Sequence, residues 1–305
     1  MPPCPICSTT LPPASIASPD RGNATPGRFE VAICTVCGAG VSLPLVDPAD
    51  LAAFYPAGYG PHTQIDRPLV ALISRAIRWW QGFRAWRTPP LAALRECGPG
   101  RGLDVGAGRG DRAAMLVARG WRMTAVEPSR AAADRIRERG VEAREGVLET
   151  VELEGESYDF ALFQHSLEHT IDPVADLRRV HAALKPGGLV MITVPNFGSW
   201  QRRSFGGAWY HLDLPRHRVH FGGPALERAL LQAGFGDVAL HRSSSAVGLP
   251  ASLQYRVFGR CLFPDGLGLR VAAGLCVLSL PLTAALDGVL GEGDTLHAVA
   301  RRPHG

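Results

Sequence analysis

Three sets of side chains in this sequence have the types and spacing to do chemistry. The first is Cys4-Pro-Ile-Cys7 with Cys34-Thr-Val-Cys37, two C-x-x-C turns. Their four thiolates suit a tetrahedral zinc ion, and four cysteines leave no open position, so such a metal would be structural. The competing reading is two incidental pairs, and the gap between them is longer than usual. The second set is Asp104, Gly106, Gly108 and Gly110 in the run Leu103-Asp104-Val105-Gly106-Ala107-Gly108-Arg109-Gly110-Asp111, with Glu127 farther on. The third is His165, Glu168 and His169, joined from a later segment by His211 and His217. A histidine titrates near neutrality and can take a proton from a hydroxyl or an amine.

The glycine spacing limits what the second set binds. The glycines fall as G-x-G-x-G, whereas the dinucleotide fingerprint G-x-G-x-x-G needs a glycine where Asp111 stands. A diphosphate prefers helix N–H groups with no carboxylate nearby. Asp104 therefore suits a ligand that is cationic and carries no phosphate. Met123-Thr124-Ala125-Val126-Glu127 reads as a following strand ending in an acid, about 20 residues past the loop, where a carboxylate can accept both ribose hydroxyls. The alternative is that Glu127 merely starts the next helix.

Two further motifs carry a resemblance. Glu168-His169-Thr170-Ile171-Asp172-Pro173 is an E-H-x-x-D-P turn, and Leu184-Lys185-Pro186-Gly187-Gly188 runs on to Pro195-Asn196. With the glycine loop and Glu127, these motifs make the chain similar to class I S-adenosylmethionine-dependent methyltransferases over about residues 98 to 245. The resemblance implies that Asp104, Gly106, Gly108, Glu127 and Gln164 bind S-adenosylmethionine, and it fits methyl transfer to an oxygen, nitrogen or carbon nucleophile. At the mouth of the cofactor cleft and in the segment over it, His165, His169 and His217 are candidate catalytic groups, His165 first among them. Many such enzymes carry a C-x-x-C ribbon followed by a segment like Asp50-Leu51-Ala52-Ala53-Phe54-Tyr55 with Tyr59, and a W-x-x-L-D-x-P-R-H segment like the one from Trp209 to His217.

Some positions depart from the pattern. Val147 stands where an acid often lies near the adenine. Related ubiquinone-pathway enzymes place metal-binding groups on the Glu168-His169 turn, with an acid where His165 stands here. The string His165-x-x-Glu168-His169 also matches a metallopeptidase motif. That reading needs one long helix, and the preceding strand with Asp172-Pro173 close behind argues against it. The remaining alternative to catalysis is that Glu168 and His169 orient the turn or cap the next helix.

These groups must be positioned by an alternation of strand and helix: 101–105, 111–119, 121–126, 129–139, 141–144, 158–163, 173–184, 188–194, 224–233, 236–242 and 294–301. Such alternation predicts a seven-stranded, mostly parallel Rossmann-like sheet with helices on both faces and an antiparallel last strand. The expected organisation is a zinc ribbon over 1–48 with a strand at 28–33, a helical linker or cap over 49–97, and a methyltransferase domain over 98–305. Within that domain, 196–222 is a long aromatic segment, the kind of loop that usually carries function. It reads as a lid over the site. In it, Arg216 either meets an acidic substrate or pairs with Asp213, and His211 is a second candidate base.

Residues 68 to 95 read as a basic amphipathic helix. It packs on the catalytic domain or, alternatively, on a membrane surface or RNA. The insertion 245–290 is apolar. Its uncharged run 271–286 is shorter than the ~18–20 residues of a spanning helix and contains Pro281. A buried helix, a dimer face or peripheral membrane contact fits it.

At 305 residues, 46% hydrophobic and 20% charged, the chain has ample core for one large domain and a small module. A net charge of +4, with Lys185 the only lysine, is modest and argues for a small-molecule substrate over nucleic acid. The rival reading is an RNA-directed methyltransferase, or nucleic-acid binder, using the ribbon and the Arg-rich helix. The N-terminus has prolines and a cysteine where a secretory signal needs a basic-then-apolar run, so a reducing cytoplasmic location is expected.

Overall fold

A computed structural model describes residues 1–21, 27–47, 54, 88–260, 279 and 281–304. Residues 68–87 of the expected helix over 68–95, Tyr55, Tyr59 and residues 271–278 and 280 of the apolar run lie outside them; the described end of that helix is a 3-10 turn, Leu91–Glu96. Among the described residues no helix is long and apolar enough to cross a membrane.

The strands are β1 (Ile16–Pro19), β2 (Arg28–Ile33), β3 (Gly40–Leu43), β4 (Arg101–Val105), β5 (Arg122–Glu127), β6 (Glu142–Glu145), β7 (Tyr158–Gln164), β8 (Leu184–Pro195), β9 (Val219–His220), β10 (Gly236–Ser243) and β11 (Thr295–Arg301). The helices are α1 (Asp111–Val117), α2 (Arg130–Arg137), α3 (Pro173–Ala183), α4 (Trp200–Phe205), α5 (Gly223–Gln232) and α6 (Gly248–Phe258).

Seven strands form one sheet in the order β10-β11-β8-β7-β4-β5-β6. β4, β5, β6, β7 and β8 pair in parallel, and β11 runs antiparallel between β8 and β10. The burial pattern follows position. β4 and most of β8 are buried because helices cover both faces, whereas the edge strand β10 carries only half-buried and exposed residues. This is the seven-stranded, mostly parallel Rossmann-like sheet the alternation predicts.

Helix starts are set by short polar side chains. Ser129 accepts from the Ala132 N–H at the start of α2. Asp172 accepts from Ala175 N–H (2.9 Å) at the start of α3, with Pro173 in the first turn. The D-P of the E-H-x-x-D-P turn is thus the helix cap, which leaves Glu168 and His169 free of that task.

The segment 196–222 is not one long loop. It folds α4, two 3-10 turns (Gly206–Ala208 and Tyr210–Leu212) and the short strand β9. β9 joins a second sheet of order β1-β2-β3-β9, pairing antiparallel with β3. Phe29 and Val31 of β2 pack with Phe197, Trp209, Leu212 and Leu214 beneath this sheet.

Candidate functional site

The glycine loop closes over the tips of β4 and β5. Gly106, Gly108 and Gly110 all have positive φ (68°, 55° and 69°), which side chains with a Cβ rarely adopt. At Gly106 a Cβ would also sit 2.6 Å from the Cβ of Ser166. Gly106 N–H donates to the Val126 carbonyl (2.8 Å), which ties the loop to the neighbouring strand.

Glu127 braces the loop from the end of β5. Its Oε2 accepts from Gly108 N–H (2.8 Å) and its Oε1 from Ser129 N–H (3.0 Å). Asp111, where a dinucleotide fold would want glycine, is held by Arg139 at 2.6 Å and Arg109 at 3.3 Å.

Asp104 differs from these acids. It is buried at the end of β4, and neither carboxylate oxygen has a hydrogen-bond partner. Burial, helped by the charge of Glu127, pushes its carboxyl up to about 7 against the pull of Arg112. Arg112, half-buried in the first turn of α1, is itself shifted down by burial and held up by Asp104. An orphaned carboxylate beside a desolvated guanidinium fits a ligand end with both an ammonium and a carboxylate. Sequence reading missed Arg112. Its place one residue into the helix after the loop was the available signal.

Gln164 ends β7 half-buried, with its strand partner Thr193 on β8. His165 follows at the sheet's carboxyl edge with φ 53°, an uncommon conformation for a residue with a Cβ, and an exposed side chain. Backbone outliers of this kind cluster at working sites. His165 Nδ1 lies 3.4 Å from Glu168 Oε1, longer than an ordinary hydrogen bond.

Glu168 is buried and its oxygens lack a hydrogen-bond partner, yet imidazoles surround it. His217 Nε2 is 3.8 Å away, and His169 meets His217 edge to face at 4.7 Å. Burial works to raise the Glu168 acid, but His165, His217 and His169 together hold it below the usual carboxylate range. Backbone carbonyls orient two of these rings, with His217 Nδ1 2.9 Å from the His211 carbonyl and His169 Nδ1 3.1 Å from that of Arg216. Burial first, then His169, pushes His217 down to about 4, so it is neutral at pH 7. The structure therefore brings His165, Glu168, His169 and His217 into one cluster and turns His211 aside, its Nε2 3.2 Å from Asp294. Arg216 is the centre of a buried ion pair with Asp213 and Asp20, which is the structural one of its two sequence readings.

The cysteines also converge. Cys4 and Cys37 Sγ atoms are 3.6 Å apart, those of Cys7 and Cys34 3.4 Å, and all four lie within 4.8 Å of one another. Disulfide sulfurs sit about 2.05 Å apart. A tetrahedron with ~2.3 Å metal–sulfur bonds has edges of about 3.8 Å. The two knuckles repeat one turn: Cys4 O accepts from Ser8 N–H and Cys34 O from Gly38 N–H, each at 2.9 Å, with Ser8 and Gly38 both at positive φ. Shared hydrogen bonding pulls the Cys4 thiol down to about 5 and pushes Cys37 up.

A family model described as a methyltransferase domain matches residues 79–240. A phosphoethanolamine N-methyltransferase 2 of Haemonchus contortus, in complex with S-adenosyl-L-methionine, superposes with a TM-score of 0.51 at 17% identity, covering 74% of this chain and 53% of that one. This chain thus spans about half the length of that enzyme. A putative sarcosine dimethylglycine methyltransferase from Galdieria sulphuraria gives a TM-score of 0.51 at 18% identity over 85% of this chain and 99% of its own. For an S-adenosylmethionine-dependent methyltransferase from Archaeoglobus fulgidus the values are 0.50, 17%, 73% and 94%. At these identities the likeness is one of fold. No curated protein matches the chain.

Proposed function

Because the chain belongs to the methyltransferase-domain family, we propose that it transfers a methyl group from S-adenosylmethionine to an oxygen, nitrogen or carbon nucleophile of a small molecule such as a sugar, polyketide, quinone or lipid precursor. What carries this reading is Asp104, a buried carboxylate without a partner at a strand tip beside three left-handed glycines. S-adenosylmethionine, when bound, supplies an electrophilic methyl group on a sulfonium.

The residues divide the work by chemistry. Glu127 accepts the ribose hydroxyls, Gly106 and Gly108 let the ligand approach the backbone, and Gln164 lines the edge of the pocket. Asp104 takes the ammonium and Arg112 the carboxylate of the amino-acid end. His165 takes the proton from the nucleophile, with Glu168 behind it fixing the ring and stabilising the imidazolium. His169 and His217 complete the polar wall around Glu168. Positioning supplies most of the rate, since an in-line displacement needs its atoms aligned. Cys4, Cys7, Cys34 and Cys37 hold one structural zinc ion in a ribbon over 1–48.

Calorimetric titration with S-adenosylhomocysteine, with NADH as control, tests the cofactor. The expected dissociation constant is micromolar, and Glu127→Gln weakens it at least ~10-fold by removing a charged acceptor. Binding of NADH in place of S-adenosylhomocysteine overturns the reading. For the metal, protein purified without chelator is expected to carry one zinc per chain, lost in Cys4→Ser. A folded, metal-free wild type with Cys4, Cys7, Cys34 and Cys37 all as free thiols would rule the zinc out.

A further inference from the structure

We propose that the cysteine ribbon is a support for the segment that carries His217 and His220, and that its metal sets the position of these lid histidines through Ser42 and Asp20. The inference rests on the methyltransferase reading above. The ribbon and the lid are parts of one sheet, since β3 pairs with β9 at Gly40↔His220 and Val41↔Val219.

Ser42 makes the local connection. It is buried on β3, its N–H donates to the Arg218 carbonyl (3.0 Å), and its hydroxyl donates to the His217 carbonyl (2.5 Å). The same hydroxyl lies 3.0 Å from His220 Nε2. Arg218 reaches back to the Val46 carbonyl at 2.7 Å. Just past β1, Asp20 accepts two hydrogen bonds from Arg216, at 2.8 and 3.0 Å, and both side chains are fully buried.

The opposite face of this short segment is gripped by the catalytic turn. Arg218 N–H donates to the Glu168 carbonyl (2.8 Å), and His169 Nδ1 meets the Arg216 carbonyl. Residues 216–218 are therefore clamped between ribbon and catalytic turn, and His217 is the residue between the clamps. Gly40 adds close contact, because a Cβ there would stand 2.8 Å from the Phe197 ring at the root of the lid. The cysteine knuckles flank this sheet, with Cys34 directly after β2 and Cys37 shortly before β3. Losing the metal frees both ends of the β2–β3 connection, and with it the strand on which β9 depends.

Hydrogen exchange read by mass spectrometry on the full chain, zinc-loaded and chelator-treated, tests this. Removing zinc is expected to speed exchange over 209–221 by about tenfold or more, with β5 and β7 unchanged and S-adenosylhomocysteine affinity within about threefold. Unchanged lid exchange, while β2 and β3 lose protection, overturns the proposal. Should chelation unfold the whole chain, Ser42→Ala decides. This variant keeps one zinc per chain, and its exchange at 217–220 and its His217 ring resonances are expected to change. Ser42→Thr, which keeps the hydroxyl, restores both. A Ser42→Ala protein matching the wild type at those positions overturns the proposal. Failure of the zinc-loaded wild type to bind S-adenosylhomocysteine removes the cofactor reading and leaves the exchange result standing.

Discussion

Asp104→Asn is expected to raise the melting temperature of the ligand-free protein and to abolish S-adenosylhomocysteine binding in the same sample. The two effects have one cause. Folding buries a carboxylate whose oxygens gain no hydrogen bond, and burial lifts its pKa from 3.8 to about 7. A carboxyl raised on folding costs nothing below its unfolded value, and the cost grows as pH rises toward the folded value. At neutral pH the full shift amounts to about 2–4 kcal/mol, of which the buried amide gives back part because it too lacks partners. A net gain of about 1–2 kcal/mol corresponds to a few degrees. The gap between variant and wild type should open between pH 4 and 7 and stay level above that. Binding has the opposite sign. An ammonium favours the ionised form, so wild-type affinity should fall about tenfold from pH 8 to pH 6 as Asp104 takes up a proton. A variant that melts lower and still binds would make Asp104 a structural acid and remove the observation on which the cofactor assignment rests.

Much of this site was legible in the sequence because its parts are local. Strand, glycine loop and helix lie within residues 101–117, and the acid that braces the loop ends the next strand. The seven-stranded sheet was legible for the same reason, since each crossover strand and its helix carry their own hydrophobic period. What the sequence hides is the second sheet. β9 is two residues long, too short to show a period, and its partner β3 lies in a segment that reads as a separate ribbon. Asp20 looks like a turn residue beside Pro19, although it is the deepest partner of Arg216, 196 positions away. Ser42 is equally plain in sequence. The positive φ of His165 left no trace either, because its N–H is held by a tertiary hydrogen bond to the Thr193 carbonyl of β8.

The long-range pair also yields the largest expected loss of stability. Arg216→Met is expected to destabilise the protein by about 3–5 kcal/mol, the range for removing one partner from a buried ion pair. Arg216 is fully buried and donates to Asp20, to both oxygens of Asp213 and to the Phe54 carbonyl. Methionine fills similar volume, so the loss is electrostatic: fully buried Asp20 and half-buried Asp213 would keep their charge without their counterion. The pH dependence separates this from a packing defect. Asp213 is pushed up by burial but held at about 2 by His217 and Arg216. Its contribution is present above 3.8 and disappears as pH falls through 2. In Arg216→Met the acid keeps the pull of His217 and His169 but loses that of Arg216, so the penalty is greatest near pH 7 and shrinks as the carboxylates protonate at lower pH. Urea unfolding of wild type and variant at pH 7 and pH 4 measures the difference. A pH-independent loss would assign Arg216 to packing alone. Adding Asp20→Asn to the variant should recover part of the loss at pH 7, because it removes one of the stranded charges, and the double-mutant coupling then reports the ribbon-to-lid contact directly. A coupling near zero would mean that Asp20 and Arg216 stabilise their own segments independently, and the ribbon would then hold the lid through Ser42 and the β3–β9 ladder only.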